Sequence, residues 1–198
     1  GLRGMAREKE EIAVSRDMLL AKLTKAHIHI AHVSSEYSLK IIEMGKKEGI
    51  NITCEATPHH FSFSDDEILK NAYDTNFKMS PPLREISDVK AVREALKSGL
   101  IDVIATDHAP HHTDEKIVEF DKAPFGIIGL QTLVPLTLKL VNEGVISLER
   151  MVELTSTNAA KMLNLKDKGK LSEGMLADIA VIDPEIEYVY DEKINRSK

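Results

Sequence analysis

Residues 105–112 read Ala-Thr-Asp-His-Ala-Pro-His-His, which puts Asp107, His108, His111 and His112 within one short stretch. Imidazoles and carboxylates are the side chains that ligate divalent metals and move protons near neutral pH. The stretch follows the mostly apolar run Leu100-Ile101-Asp102-Val103-Ile104, so Asp107 falls where a buried strand ends. An unpaired carboxylate is costly there, and a cation or a hydrogen-bonded histidine would offset the cost. An aspartate opening the Ala109-Pro110 turn as an Asx-turn or N-cap fits the same residues. A second group is His27-Ile-His29-Ile-Ala-His32. In a regular strand His27 and His29 share a face and His32 points the other way. His32, nearest the strand's C-terminal end, is the ligand candidate, with a satisfied buried histidine as the alternative. The His27-x-His29 pair is a rival zinc pair. Adjacent His59 and His60 diverge, so a structural role at a strand end suits them better. Cys54 lies mid-strand and reads as core. A nucleophilic-serine motif, a phosphate-binding glycine loop and a Cys-x-x-Cys pair are all missing.

The elements that must position these residues alternate in type. Glu8 to Leu23 has helical spacing, with Ile12, Met18, Leu19, Leu20 and Leu23 as its apolar side. The run His27–Val33 is β-rich, and Ser34 or Ser35 caps a helix to about Lys47, closed by Gly49. A second strand, Ile50–Thr57, stops at Pro58. Ser64-Asp-Asp-Glu67 matches a capping box opening a short helix. Pro81-Pro82 marks a loop, Ser87 caps a helix ended by Gly99, and a third strand runs from Leu100 to Asp107. After a loop of about twenty residues a long apolar helix begins near Gly129; Ser147 caps another, and Asn158–Leu163 forms a short one. Beyond Lys166 the character changes to glycine turns and the run Ala177–Asp183, which reads as short strands of a different module.

Strands separated by long crossovers predict a parallel sheet covered by helices. Polar residues at the C-terminal ends of apolar strands fit a barrel, whose chemistry gathers on that face. A complete (β/α)8 barrel takes roughly 250 residues, and three strands are legible in these 198. The expectation is therefore part of a larger α/β barrel over residues 1–165, with residues 166–198 as part of a small β-sandwich. Net charge is -6 with no basic cluster, which gives a nucleic-acid surface no support. Apolar runs fall well short of the ~20 residues of a membrane span, and Gly1-Leu2-Arg3-Gly4-Met5 is not followed by the apolar segment of a signal peptide. One cysteine cannot form an internal disulfide and suits a reducing, cytoplasmic setting.

Taken in order, HIAHVSSEYSL, ITCEATPHHFSFSDDEI, KMSPPLRE, DVIATDHAPHHTDEK, FDKAPFGIIGLQT and the tail KGKLSEGMLADIAVIDPE resemble the C-terminal half of type I dihydroorotases. These are zinc amidohydrolases of pyrimidine synthesis. The resemblance covers residues 1 to about 183, and ATDHAPH with APFGIIGLQT is its most specific part. It implies a partial (β/α)8 barrel with a portion of a β-sandwich, one or two Zn2+ per intact site, and the reversible cyclisation of N-carbamoyl-L-aspartate to L-dihydroorotate. His32 would be the metal ligand ending the sixth barrel strand. Asp107, ending the eighth, would be metal ligand and catalytic proton shuttle. His111 would contact the substrate carboxylate, and Phe125 and Gly126 would lie against the pyrimidine ring.

Ser80 departs from the resemblance, standing where bacterial members carry a substrate-binding asparagine and hydantoinases often carry serine. The family's remaining ligands would precede Gly1, so this stretch by itself is expected to hold metal weakly and to be inactive. Family members are often homodimers. Two rival readings remain: a hydantoinase or dihydropyrimidinase, and a non-catalytic dihydroorotase-like scaffold that binds a transcarbamoylase.

Overall fold

A computed structural model describes Leu2, residues 4–191, Lys193 and residues 195–197. Gly1, Arg3 and Lys198, which the readings of the two ends included, lie outside the described residues.

Helix α1 (Glu8–Thr24) leads into strand β1 (Ile28–Ile30), helix α2 (Glu36–Lys47) and strand β2 (Ile52–Ala56). Two short helices follow, α3 (Pro58–Ser62) and α4 (Asp66–Lys70), then a 3-10 turn at Thr75–Phe77 and helix α5 (Ile86–Ser98). Strand β3 (Val103–Ile104) precedes α6 (Thr113–Lys116), α7 (Leu133–Asn142) and α8 (Leu148–Val152). A π-helical turn at Glu153–Thr157 runs into α9 (Asn158–Met162). The three strands are parallel in the order β1-β2-β3, with His29 beside Thr53 and Glu55 beside Val103.

The two faces of the sheet differ in chemistry. On one, Ile52, Cys54, Ala56 and Ile104 meet Val14, Leu39, Ile42, Val92, Leu96, Leu140 and Leu154 from the surrounding helices, forming a single core. On the other, His27 Nε2 and His29 Nδ1 both lie within hydrogen-bond distance of Thr53 Oγ1 (2.9 and 2.8 Å), and His29 Nε2 meets Glu55 Oε2 at 3.0 Å. One apolar face under helices and one polar face opposite is the division a barrel wall makes.

Several local signals act as expected. Ser35 caps α2, its hydroxyl accepting from the amides of Tyr37 and Ser38. Gly49 and Gly99, at φ +76° and +87°, take the left-handed conformation that ends a helix with least steric cost. Ser147 caps α8.

Other signals are overridden. Helix α1 buries Val14, Met18 and Ala21, while Ile12, Leu19, Leu20 and Leu23 face outward, so of the apolar side expected for it Met18 alone is packed. The small and flexible trio nests against α2, where Gly45 leaves room for the Met18 thioether. The Ser64 capping box does not form; Asp65 and Glu85 stand at the N-caps of α4 and α5 with no side-chain cap bond. The third strand is shorter than residues 100–107, though the amides of Asp102 and Ala105 extend its ladder to Cys54 and Ala56. The strand expected over 177–183 is not formed. Among the described residues no partner strand lies beside it, and Val181 is 94% exposed. Extended segments without a ladder partner are not strands.

Candidate active site

Both strand-end candidates sit in left-handed backbone. His32 has φ +39° and Asp107 φ +48°, a conformation that costs non-glycine residues energy and concentrates at functional sites. Because β1 ends at Ile30, the alternation that would point His32 away from His29 no longer applies. The turn swings His32 back, and both line one cleft of about 320 Å³ with Glu10, Ser80, Pro81 and Arg84.

The turn carrying His32 is pinned from three sides. The Val33 amide donates to the Glu55 carbonyl at 2.9 Å. The amides of Ser34 and Ser35 donate to Glu10 Oε1 at 3.0 and 3.2 Å, and the Ser34 hydroxyl donates to Glu10 Oε2. Arg84 completes the cluster, Nε donating to Ser34 Oγ at 3.0 Å, Nη1 to the Met5 carbonyl at 3.1 Å, and Nη2 lying 3.5 Å from Glu10. Burial pushes the Glu10 carboxyl up, but the hydrogen bonds from Ser34 and Ser35 outweigh it and leave its pKa lowered. Within this scaffold His32 Nδ1 is buried with no hydrogen-bond partner. Polar atoms buried without a partner are rare, and one on a strand-end imidazole asks for a ligand.

His59 and His60 support the cleft from beneath. His60 takes a hydrogen bond from Thr57 on Nδ1 (2.7 Å) and donates from Nε2 to the Pro81 carbonyl (3.0 Å), beside the cis Ser80-Pro81 bond. Burial drives His59 down to about 2, helped by the nearby charges of His60 and His32, and drives His60 down to about 4. Both are neutral structural histidines. Burial likewise pushes the Cys54 thiol up to about 12, which makes it an inert core side chain.

Asp107 follows β3 at the same end of the parallel sheet at which His32 follows β1, with β2 between the two strands. Its side chain is exposed, and no hydrogen bond or ion pair reaches it among the described residues. The chain beyond it is fixed: Ala109 donates to the Ile127 carbonyl (3.0 Å), and Gly129 donates to His108 Nδ1 (3.0 Å). His111 donates from Nε2 to the Phe125 carbonyl at 2.9 Å, with Nδ1 3.6 Å from Glu115. Gly126, at φ +150°, packs so closely that a Cβ would fall 2.5 Å from the Ala109 carbonyl oxygen and 3.0 Å from the His111 ring. Phe125 is half exposed under the Lys78 ammonium, 4.7 Å above its ring. His32 and Ser80 thus line one cleft, while His111, Phe125 and Gly126 form a second cluster in the loops that follow Asp107. Among the described residues, no three His, Cys, Asp or Glu side chains approach closely enough to hold a metal by themselves. The His27/His29 pair is instead occupied by Thr53 and Glu55.

An imidazole and a carboxylate presented from the tips of parallel strands is half of a metal-hydrolase arrangement, and the chain matches the amidohydrolase family model over residues 8–197. The chain belongs to the amidohydrolase family. A dihydroorotase from Geobacter metallireducens is 51% identical over 191 residues, covering 96% of this chain and 44% of that protein. One from Trichlorobacter lovleyi is 48% identical over 198 residues, covering all of this chain and 46% of the relative. The chain therefore spans about half the length of the curated relatives it matches. Among solved structures, the L-hydantoinase (dihydropyrimidinase) of Arthrobacter aurescens superposes with TM-score 0.80 at 31% identity, over 84% of this chain and 38% of that one. The dihydropyrimidinase of Brevibacillus agri NCHU1002 gives TM-score 0.80 at 28% identity, over 86% and 38%. The fold is accordingly α/β, a section of the amidohydrolase barrel wall. No helix among the described residues is long and apolar enough to cross a membrane.

Sequence reasoning did not single out Glu10 and Arg84, which pin the turn carrying His32, or Lys116, which bonds the carbonyls of Thr75, Pro124 and Gly126. Glu10 sits in an acidic first helical turn and Lys116 in the run Thr-Asp-Glu-Lys, both of which look like solvated surface charge.

Proposed function

We propose that this chain is the C-terminal portion of a dihydroorotase, a cytoplasmic hydrolase that interconverts N-carbamoyl-L-aspartate and L-dihydroorotate in pyrimidine synthesis. In the whole protein, residues 1–165 belong to its barrel and 166–198 to its small β-sandwich. The observation that carries the reading is His32: a strand-end imidazole in strained backbone, its Nδ1 buried without a partner, in a cleft shared with Ser80. The naming of the relatives at about half identity supports the choice of substrate.

His32 and the hydrogen-bond-free Asp107 carboxylate suit a divalent metal, and they would supply two of its protein ligands. A zinc ion, when bound, supplies Lewis acidity that lowers the pKa of water from ~16 towards ~7. Asp107 then accepts the proton of the attacking water and delivers it to the departing ring nitrogen, a role worth about 10²–10⁴-fold. Ser80, His111 and the Phe125–Gly126 turn orient the substrate. His111 reaches a substrate carboxylate by giving up its contact with Glu115 or Phe125.

A second reading draws on Ser80 and on the hydantoinase neighbours, and gives the same machinery a hydantoin or dihydropyrimidine as substrate. Side-by-side kinetics of the full-length protein on dihydroorotate and dihydrouracil test the choice. Preference for dihydroorotate, enhanced in Ser80→Asn, is expected; preference for dihydrouracil overturns the first reading in favour of the second.

A further inference from the structure

Three segments carry the residues proposed to face the substrate: 75–80, ending on Ser80; 107–116, containing His111; and 124–127, containing Phe125 and Gly126. One side chain binds all three together. Lys116, the last residue of α6, sends its ammonium to the carbonyl oxygens of Thr75 (3.1 Å), Pro124 (3.0 Å) and Gly126 (2.8 Å). Each of its three N–H donors therefore has an acceptor. The Lys116 carbonyl in turn accepts the Thr75 hydroxyl at 2.6 Å, which closes a reciprocal pair between α6 and the 3-10 turn.

The neighbouring contacts radiate from this knot. Gly126 donates its amide to the Lys78 carbonyl at 2.9 Å, and the Lys78 ammonium reaches the Asp121 carbonyl at 2.9 Å. His111 meets the Phe125 carbonyl, and Gly126 leaves room for the His111 ring and the Ala109 carbonyl. No carboxylate pairs with the Lys116 ammonium among the described residues, so its charge is spent on three backbone dipoles. Burial lowers its pKa, with the like charge of Lys78 adding to the effect. A solvated surface lysine has neither the three carbonyl partners nor the partial burial.

We infer that Lys116 is a positioning residue for substrate binding: it fixes the Pro124–Gly126 turn against α6 and the 75–80 segment, so that Ser80, His111, Phe125 and Gly126 hold one arrangement before a cyclic amide bearing a carboxylate arrives. The identity of that ligand rests on the dihydroorotase reading; the linkage among the three segments does not. Pre-organisation of this kind lowers the cost of binding and is lost when the organising donor is removed. Because Lys116 touches neither the proposed metal ligands nor the proton path, the loss falls on binding more than on chemistry.

The experiment is Lys116→Met in the full-length protein, with Lys116→Gln, which keeps part of the donor set, as the milder variant. Three readouts are needed: kinetics on dihydroorotate, bound metal per chain, and amide hydrogen exchange across residues 109–127. In Lys116→Met, KM rises about tenfold while kcat stays within about threefold, metal content is unchanged, and protection is lost at the Gly126 and Ala109 amides. Lys116→Gln falls between this variant and the wild type. An unchanged KM, or a drop in kcat accompanied by metal loss, overturns the inference. If the wild-type protein does not turn over dihydroorotate, the functional reading falls alone and hydrogen exchange decides the linkage: lost protection upholds it, and wild-type protection in both variants refutes it.

Discussion

Acidification should unfold this protein well above the pH at which its carboxylates are protonated, and His59 and His60 are the reason. Each is neutral in the fold, held at about 2 and about 4 against an ordinary 6.5. Unfolding returns them to water, where they bind a proton below that ordinary value. The unfolded chain thus holds about one more proton than the folded one at pH 6.5, and close to two more between about pH 5.5 and 4.5. Stability rises with pH wherever the unfolded state binds more protons, so it is present above the unfolded pKa and lost as the pH falls below it. Each proton is worth about 1.4 kcal/mol per pH unit, so the slope rises from about 1.4 at pH 6.5 to about 2.4 near pH 5, a loss of about 4.5 kcal/mol over the two units. That loss is comparable to the whole stability of many domains.

Urea unfolding at half-unit steps of pH, in the presence of a chelator, measures the slope. His60→Gln keeps a donor for the Pro81 carbonyl but does not titrate, so its slope is expected to halve. A wild-type slope below about 1 kcal/mol per pH unit in this window, or an unaltered slope in His60→Gln, would refute the reasoning.

Three further outcomes follow from the same contacts. Arg84→Met strips a guanidinium from the buried cluster at Ser34, Met5 and Glu10 and is expected to cost about 3 kcal/mol, read as a lower urea midpoint at constant slope; a cost below 1 kcal/mol would contradict the geometry. Glu10 keeps its three serine-derived bonds in that variant, which holds the estimate below the top of the range for broken buried pairs. Gly126→Ala places a methyl 2.5 Å from the Ala109 carbonyl oxygen at a φ of +150°, so a loss of about 2–3 kcal/mol and a raised KM are expected. Asp107→Asn in the full-length enzyme is expected to lower turnover by about 10³-fold or more; activity retained in a dihydroorotate assay would remove Asp107 from the proton path.

Much of the wall was legible from the chain alone, because its signals are local. The Ser35 cap, the left-handed Gly49 and Gly99, and the apolar strand Ile52–Ala56 ending before Pro58 each act within a few residues. Where competition came from distant contacts, pattern reading failed. In α1 helical spacing points Ile12, Leu19, Leu20 and Leu23 inward with Met18, yet of these only Met18 is buried, together with Val14 and Ala21. Pro58 ends the strand pattern and is also the first residue of α3, with Thr57 as its cap, a position proline favours. Helix α6 was missed because its N-cap is His112, boxed with Glu115, rather than a serine, threonine or aspartate. His32 and Asp107 are legible as candidates from their places just after strands, whereas the bonds of Glu10 and Arg84 span 24 to 79 residues of sequence and leave no local trace.

The left-handed backbone at positions 32 and 107 has a consequence for anyone redesigning this protein. Glycine at either position would relieve a conformational penalty of about 1 kcal/mol while deleting a side chain the chemistry is proposed to need. Selection for thermal robustness alone would therefore drift toward sturdier but inert chains, and a screen for hardier variants has to score turnover in the same round.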